Sequence, residues 1–303
     1  MIIGPMRVEY REEPCRSALN RVAGMGFDWS LNPYMGCFHR CAFCYVRGFE
    51  RRADRPSDDR YGTSVRVKSN IAEVLRAELA RSTWKREFVL IGAATDPYQP
   101  AEGQYRLTRS CLEALGHART PFGIITRGTL IVRDIDVLVA ASQRAQVNVS
   151  FSIPTLDEHV WRVTEPTTPP PRQRLRALKR LVDAGINAGV AMMPILPGLS
   201  DKPEQLEAVV RAAREAGATK LFAGLVNLRE GTREHFLNVI AREWPELLPQ
   251  YQDLFAARSY LPKALNEPLA RTVGELRRRH GIADRRSIRH RPPEEPAQLE
   301  LLI

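Results

Sequence analysis

No run of 18 apolar residues occurs in the 303-residue chain, so no membrane-spanning helix is expected. No segment recurs at a fixed period of about 20 to 50 residues, which excludes solenoids and propellers. Neither a Walker-type phosphate loop nor a G-x-G-x-x-G turn is present, which argues against a P-loop or a dinucleotide fold. The opening stretch, MIIGPMRVEYREEPCR, has no cationic run leading into an apolar one, so the expectation is a cytoplasmic protein without a secretory signal. Cysteine is scarce, five in all, and the odd number argues against a disulfide framework. What is there, 44% apolar and 26% charged residues with a mean hydropathy of -0.31, is the composition of a globular chain.

The formal net charge is +10, which raises nucleic acid or an anionic cofactor as partners. The charge is unevenly spread. Between Arg271 and Arg291 eight arginines face only Glu275 and Asp284, so this stretch carries +6 of the total. A basic C-terminal segment is therefore expected, rather than a uniformly basic face. The same stretch holds no Phe, Tyr or Trp, which weakens direct stacking on single-stranded bases there.

Nearly continuous apolar runs predict strands over 87–95, 122–128, 147–155, 187–196 and 218–228, each buried on both faces. Between them, apolar residues at three- and four-residue spacing predict helices over 70–81, 107–117, 133–144, 172–184 and 202–216. Asn70 and Asp201 are the expected helix caps; Gly116, Gly185 and Gly217 are the expected stops. With a first strand just before Cys37, this makes about six β/α units, an α/β fold on a parallel sheet with right-handed crossovers. Sites in such sheets lie at the C-terminal strand ends: here Thr95 and Asp96, Thr126 and Arg127, Ser150 and Ser152, Pro194 to Pro197, and Asn227. The Pro-rich stretch 163–172 reads as a loop over the sheet edge. Beyond Gly231 the pattern turns wholly helical, and 292–303 reads as a tail. The expected organisation is an N-terminal arm over 1–27, a core over 28–231, and a helical, basic C-terminal extension and tail over 232–303.

Three of the five cysteines fall within eight residues, as Cys37-x3-Cys41-x2-Cys44, and Gly36 lets the backbone turn beside the first. Soft thiolates at that separation suit an iron–sulfur cluster or zinc. Structural zinc takes four ligands, commonly as two pairs, and no second pair exists here. Cys15 stands 22 residues upstream, and His39 lies between two thiolates, where simultaneous ligation is strained. Three ligands fit a four-iron cluster with one open iron better. His117, His159, His235, His280 and His290 lack paired spacing, so a second metal is not indicated. Cys111, beside Leu107, Leu112 and Leu115, reads as core, while Cys15 on its short arm is a candidate for a redox role.

The cysteine spacing, with Phe43 before the last cysteine, resembles the signature of the radical S-adenosylmethionine (SAM) superfamily. More narrowly, NPYMGCFHRCAFCY (32–45), ATDPYQPAE (94–102), IITRG (124–128), SFSIPTLD (150–157) and PILPGLSD (194–201) are similar in order and spacing to the spore photoproduct lyase-like branch. The resemblance implies a partial (β/α)6 barrel and a [4Fe-4S] cluster on Cys37, Cys41 and Cys44. It implies S-adenosyl-L-methionine on the open iron, cleaved to methionine and a 5′-deoxyadenosyl radical that takes hydrogen from the substrate. An electron donor such as flavodoxin or ferredoxin is implied as well. By the same resemblance, Phe43 packs near the adenine and Thr95 and Asp96 meet the methionine amino end. Arg127 and Arg174 pair with the carboxylate, and Ser152 meets the ribose or carboxylate. The branch's repair lyase carries a hydrogen-donating cysteine where this chain has Ala94, so photoproduct repair itself is not expected; Tyr45 and Tyr98 are the expected hydrogen relays. Glu102 and Tyr105 are weaker candidates for lining the substrate cavity.

The expected function is thus a radical SAM enzyme. The sequence does not reveal the substrate; nucleic acid is one candidate, from the basic segment and the branch's repair member, and a peptide or small metabolite is the alternative. A non-catalytic zinc-binding scaffold is the alternative of a different class. The sequence carries no signal for an oligomeric state.

Overall fold

The computed structural model describes residues 8–284. Arg285, Arg286, Arg289 and Arg291 of the basic segment, and the expected tail over 292–303, lie outside the described residues. The first part of the chain forms β1 (Glu9–Glu13), β2 (Leu19–Arg21), β3 (Trp29–Leu31), β4 (Tyr34–Met35), α1 (Val46–Arg52), β5 (Ser64–Lys68) and α2 (Ile71–Leu79). The middle continues with β6 (Val89–Ile91), α3 (Ala101–Tyr105), α4 (Leu107–His117), β7 (Phe122–Thr126), a 3-10 turn (Thr129–Asp134), α5 (Ile135–Ser142) and β8 (Val147–Ser152). The last part holds α6 (Glu158–Thr164), α7 (Pro171–Asp183), β9 (Ala188–Ile195), α8 (Pro203–Glu215), β10 (Lys220–Leu225), α9 (Thr232–Glu243), α10 (Leu248–Phe255), α11 (Lys263–Arg279) and β11 (Ala283–Asp284).

One sheet runs in the order β11-β10-β9-β8-β7-β6-β3-β2, and within it β3, β6, β7, β8, β9 and β10 are parallel neighbours. Five of these fall in the expected apolar runs; the sixth is β3, whereas the strand just before Cys37 is β4, in the second sheet. Only β2 runs antiparallel, against β3. Among the described strands β2 and β11 remain the two edges, so the barrel is partial and open. A second sheet, β1-β5-β4, packs beside it.

The apolar runs form strands because both faces are covered. All six residues of β8 are buried, and Val149, Phe151 and Val190 join the main core with Leu178 and Leu181 of α7 and Leu206, Val209 and Val210 of α8. Several boundaries differ from expectation. β6 stops at Ile91 because Gly92 (φ +92°) turns the chain hard against β7; a Cβ there would sit 2.4 Å from the carbonyl oxygen of Ile125. Asn70 precedes α2 but its side chain does not cap it; Oδ1 accepts from the Cys15 amide at 2.7 Å and Nδ2 donates to the Cys15 carbonyl at 3.1 Å. Asp201 likewise turns away from α8 and accepts from the Gly198 amide. Gly116 lies inside α4, where it lets Ala141 pack close, while Gly185 and Gly217 follow α7 and α8 as expected. The wholly helical reading of the end is corrected by β11, which pairs with the start of β10. Residues 163–172 are a loop only in their middle, since Thr164 closes α6 and Pro171 opens α7.

Candidate active site

The loop 36–44 leaves β4 at the C-terminal end of the parallel strands. Its backbone is held by side chains from three distant segments, as a loop without internal ladder bonds requires. From the β6–α3 connection, Thr95 Oγ1 donates to the Gly36 carbonyl at 2.8 Å, and Gln99 bonds both that carbonyl and the Phe38 amide. From the α6–α7 connection, Thr167 Oγ1 donates to the Phe38 carbonyl, and the Thr164 carbonyl takes the Ala42 amide. From α9, Thr232 Oγ1 donates to the Cys44 carbonyl at 2.9 Å.

On this loop Cys37 and Cys41 are buried and Cys44 is half-buried, all three as free thiols. Burial raises the Cys37 thiol well above its ordinary value, with Asp96, Cys44 and Cys41 adding to it. Burial pushes Cys41 up to about 12, although Arg127 pulls the other way. Cys37 and Cys41 thus both lie in the field of Cys44, where a nearby positive charge favours the thiolate.

Beside the loop, Asp96 is buried and its two oxygens are already engaged. Oδ1 accepts from the Tyr98 amide and from Thr126 Oγ1, and Oδ2 accepts from the Arg127 amide at 2.6 Å. Burial opposes its charge, but His39 and these donors together hold its pKa at about 2. His39 Nδ1 is 3.2 Å from Oδ2, within ion-pair reach but off the line of a hydrogen bond, and no group among the described residues bonds it.

The Arg127 guanidinium lies over the Phe43 ring, 5.5 Å from its centroid. Its Nε donates to Glu165 Oε1 and its Nη2 to the Met193 carbonyl; Nη1 has no partner among the described residues. Arg174 is fully buried and all three of its guanidinium nitrogens donate inside the protein: to Glu165 Oε2 at 2.8 Å, the Ser152 carbonyl at 2.7 Å, the Pro169 carbonyl and Thr168. Glu165 is thus a buried carboxylate between two guanidinium groups; burial opposes its charge, yet Arg174 and Arg127 hold its pKa below the usual range. Ser152 Oγ reaches the Met193 carbonyl at 3.5 Å.

Phe43 packs edge-on against Phe236 of α9. Tyr45 is half-buried at the start of α1, its ring edge-on to Phe49; burial and Cys44 push its phenol up to about 12, while Arg127 and Arg229 lower it. Tyr98 is placed elsewhere: it is part of the main core, 2% exposed, with its hydroxyl 3.2 Å from Asp134. Glu102 is also no cavity residue; it is buried and accepts from Tyr34, Thr108, Arg109 and Arg133. Cys111 sits in the core as expected. Cys15 packs on that core, with its backbone bonded to Asn70, rather than at the cysteine loop.

Residues 31–208 match the family model of the Radical SAM superfamily. The chain belongs to the radical SAM superfamily. An uncharacterized protein of Mycobacterium bovis is 37% identical over 96% of this chain and 86% of its own length, and a Mycobacterium tuberculosis protein matches equally. An uncharacterized protein of Acidianus two-tailed virus is 30% identical over 70% of this chain and 71% of its own length. Among solved structures, spore photoproduct lyase, including a form with bound AdoMet and dinucleoside spore photoproduct, superposes with a TM-score of 0.69. That match covers 91% of this chain and 80% of the other at 13% identity, so it speaks to fold.

Radical SAM enzymes use a [4Fe-4S] cluster and SAM and need a reductant. The donor set of this chain fits such a cluster: three soft thiols and no fourth cysteine on the loop. Among the described residues no three His, Cys, Asp or Glu side chains converge tightly enough for a single ion. No described helix is long and apolar enough to cross a membrane. The structure also adds residues that sequence reasoning missed. Glu165 sits in a stretch that reads as a Pro-rich connection, and Gln99 and Thr167 carry no local signal. Arg229 and the exposed Tyr260 bond each other near Tyr45, beyond the end of β10.

Proposed function

We propose that Cys37, Cys41 and Cys44 hold the [4Fe-4S] cluster of this radical SAM enzyme, and that Arg127 anchors the carboxylate of SAM. The observation that carries the reading is three thiols on one loop, braced from three segments at the C-terminal ends of the parallel strands. When bound, the cluster and SAM supply a 5′-deoxyadenosyl radical. Arg127 suits the carboxylate because its Nη1 is unengaged and Glu165 fixes its plane. Arg174, fully buried with every guanidinium nitrogen engaged, acts by positioning Glu165 rather than by touching SAM. Phe43 and Ser152 keep their assigned places at the adenine and at the ribose or carboxylate. Thr95 and Asp96 orient the cysteine loop and Arg127, leaving backbone groups of that turn for the methionine amino end. Tyr45 is retained as a hydrogen relay at the mouth, and Tyr98 is assigned to the core. Residues 1–27, 28–231 and 232–303 are read as arm, core and extension.

For the substrate we favour nucleic acid. Arg229 and Tyr260 offer a guanidinium and an exposed ring side by side, a pairing that suits a phosphate and a base. A one-electron donor such as flavodoxin or ferredoxin completes the system. The test is anaerobic reconstitution with iron and sulfide, reduction, and measurement of 5′-deoxyadenosine from SAM, with Cys41→Ala as control. Product in the parent and none in the variant is expected; bound zinc with no cluster overturns the reading in favour of a scaffold. Stimulation by a single-stranded oligonucleotide, and not by peptides or small metabolites, is the expected substrate result.

A further inference from the structure

After α1 the chain doubles back over the cysteine loop through residues 53–63 before entering β5. Tyr61 on this return is 2% exposed, and its hydroxyl lies 3.5 Å from Cys44 Sγ, its one hydrogen-bond partner among the described residues. It packs in a small cluster with Cys37 and Val46. Three contacts hold it there. Arg40 Nε donates to the Tyr61 carbonyl at 2.9 Å. Arg47, 1% exposed, lies over the Tyr61 ring at 4.5 Å and donates to the Ser57 and Asp58 carbonyls at 2.8 and 2.7 Å. Gly62 presses its backbone onto the Cys37 carbonyl, so closely that a Cβ would sit 2.4 Å from that oxygen.

Between a thiol and a phenol either atom can donate. Once Cys44 gives its proton up to bind iron, only the phenol can. A hydrogen bond to a cluster thiolate draws charge from the sulfur and favours the reduced state. We propose that Tyr61 is a positioning residue that raises the reduction potential of the cluster by donating a hydrogen bond to the Cys44 thiolate, with Arg47 fixing its ring. The inference rests on the cluster assignment made above. The proton stays on the phenol oxygen throughout, and the single electron comes from the external one-electron donor.

The test is an EPR-monitored redox titration of anaerobically reconstituted full-length protein, for the parent, Tyr61→Phe, and the chain with 3,5-difluorotyrosine at position 61. Tyr61→Phe keeps the ring and loses the donor; its midpoint is expected to fall by about tenfold in the reduction equilibrium, or about 59 mV for a one-electron couple. The fluorinated phenol is a stronger donor and should move the midpoint up. Opposite shifts in the two proteins support the proposal, since a purely structural role would not reverse sign. An unchanged midpoint in a fully loaded Tyr61→Phe protein, or shifts of the same sign in both, overturns it. If Tyr61→Phe loads poorly, the fluorinated protein decides alone: a raised midpoint supports the proposal and an unmoved one overturns it. A parent that takes up no cluster brings down the cluster assignment as well, which separates the two failures.

Discussion

Half-buried Arg127 and buried Glu165 form an ion pair through Nε and Oε1, and the other oxygen of that carboxylate accepts from fully buried Arg174 Nη2 at 2.8 Å. The pairing joins the end of β7 to the connection before α7. Arg127 is thereby held over Phe43, one residue from Cys44, with its backbone amide on Asp96 and its charge lowering the Cys41 thiol. A single carboxylate thus couples the anchoring of the α6–α7 connection on the sheet to the geometry of the candidate site.

Glu165→Gln is expected to unfold more readily, by about 3–5 kcal/mol, because one partner of a buried charge network is removed. Its affinity for SAM should fall as well, because Arg127 loses its orienting partner. Since the folded pKa of Glu165 is held down, its contribution is present above the ordinary carboxylate range and is lost as pH falls through the lowered value. Thermal unfolding of parent and variant should therefore differ at neutral pH and converge on acidification. A constant gap across pH would contradict the assignment.

His235 on α9 gives a second pH signature with its own window. Burial, aided by Arg47, lowers its pKa from 6.5 to about 4, against the pull of Asp59. The folded state thus holds a neutral ring, while the unfolded chain takes up a proton below 6.5. Stability from this residue is complete above 6.5, declines as pH falls, and stops changing below about 4. His235→Gln should flatten the dependence of Tm on pH between those limits, measured by calorimetry as a difference from the parent. Parallel curves would show that His235 titrates alike in both states.

Five of the six parallel strands were legible because burial on both faces leaves nearly continuous apolar runs, as in Ala188–Ile195. The short strands β2, β3 and β11 were not, since two or three residues carry no period; the strand expected just before Cys37 corresponds to β4. The cysteines were legible because their spacing is local. Thr95, Asp96 and Arg127 were singled out by the strand-end rule, but the partners that spend the first two, Gly36 and Thr126, are remote in sequence. Glu165 and Tyr61 stayed hidden for the same reason: each lies in a polar, Pro-containing stretch, and only the folded chain brings it to Arg127 or Cys44.

Gly62→Ala tests the return over the cysteine loop. The position has φ +80°, and an added methyl would strike the Cys37 carbonyl and the Arg40 side chain. The left-handed backbone alone costs about 1–2 kcal/mol for a non-glycine residue. The variant is expected to remain folded but to bind less iron per chain than the parent after identical reconstitution. Full iron loading would show that segment 53–63 does not shape the cysteine loop.

The basic segment and the mouth make opposite predictions about nucleic acid. In the described part of that segment, α11 buries Val273 and Leu276, Arg277 donates to the Leu221 carbonyl, and β11 pairs with the start of β10, the end of the strands remote from the cysteines. Deleting residues from 271 onward would therefore strip core contacts, and a fair truncation ends after Asp284. If Arg229 and Tyr260 engage the substrate, Tyr260→Ala should weaken binding of a single-stranded oligonucleotide by about 1–3 kcal/mol, the worth of one stacked base. Arg229→Gln should reduce the slope of log affinity against log salt by about one phosphate contact. Fluorescence anisotropy across a salt series reads both. Loss of binding on truncation after Asp284, with both mouth variants unchanged, would move the nucleic-acid contact from the mouth to the basic tail.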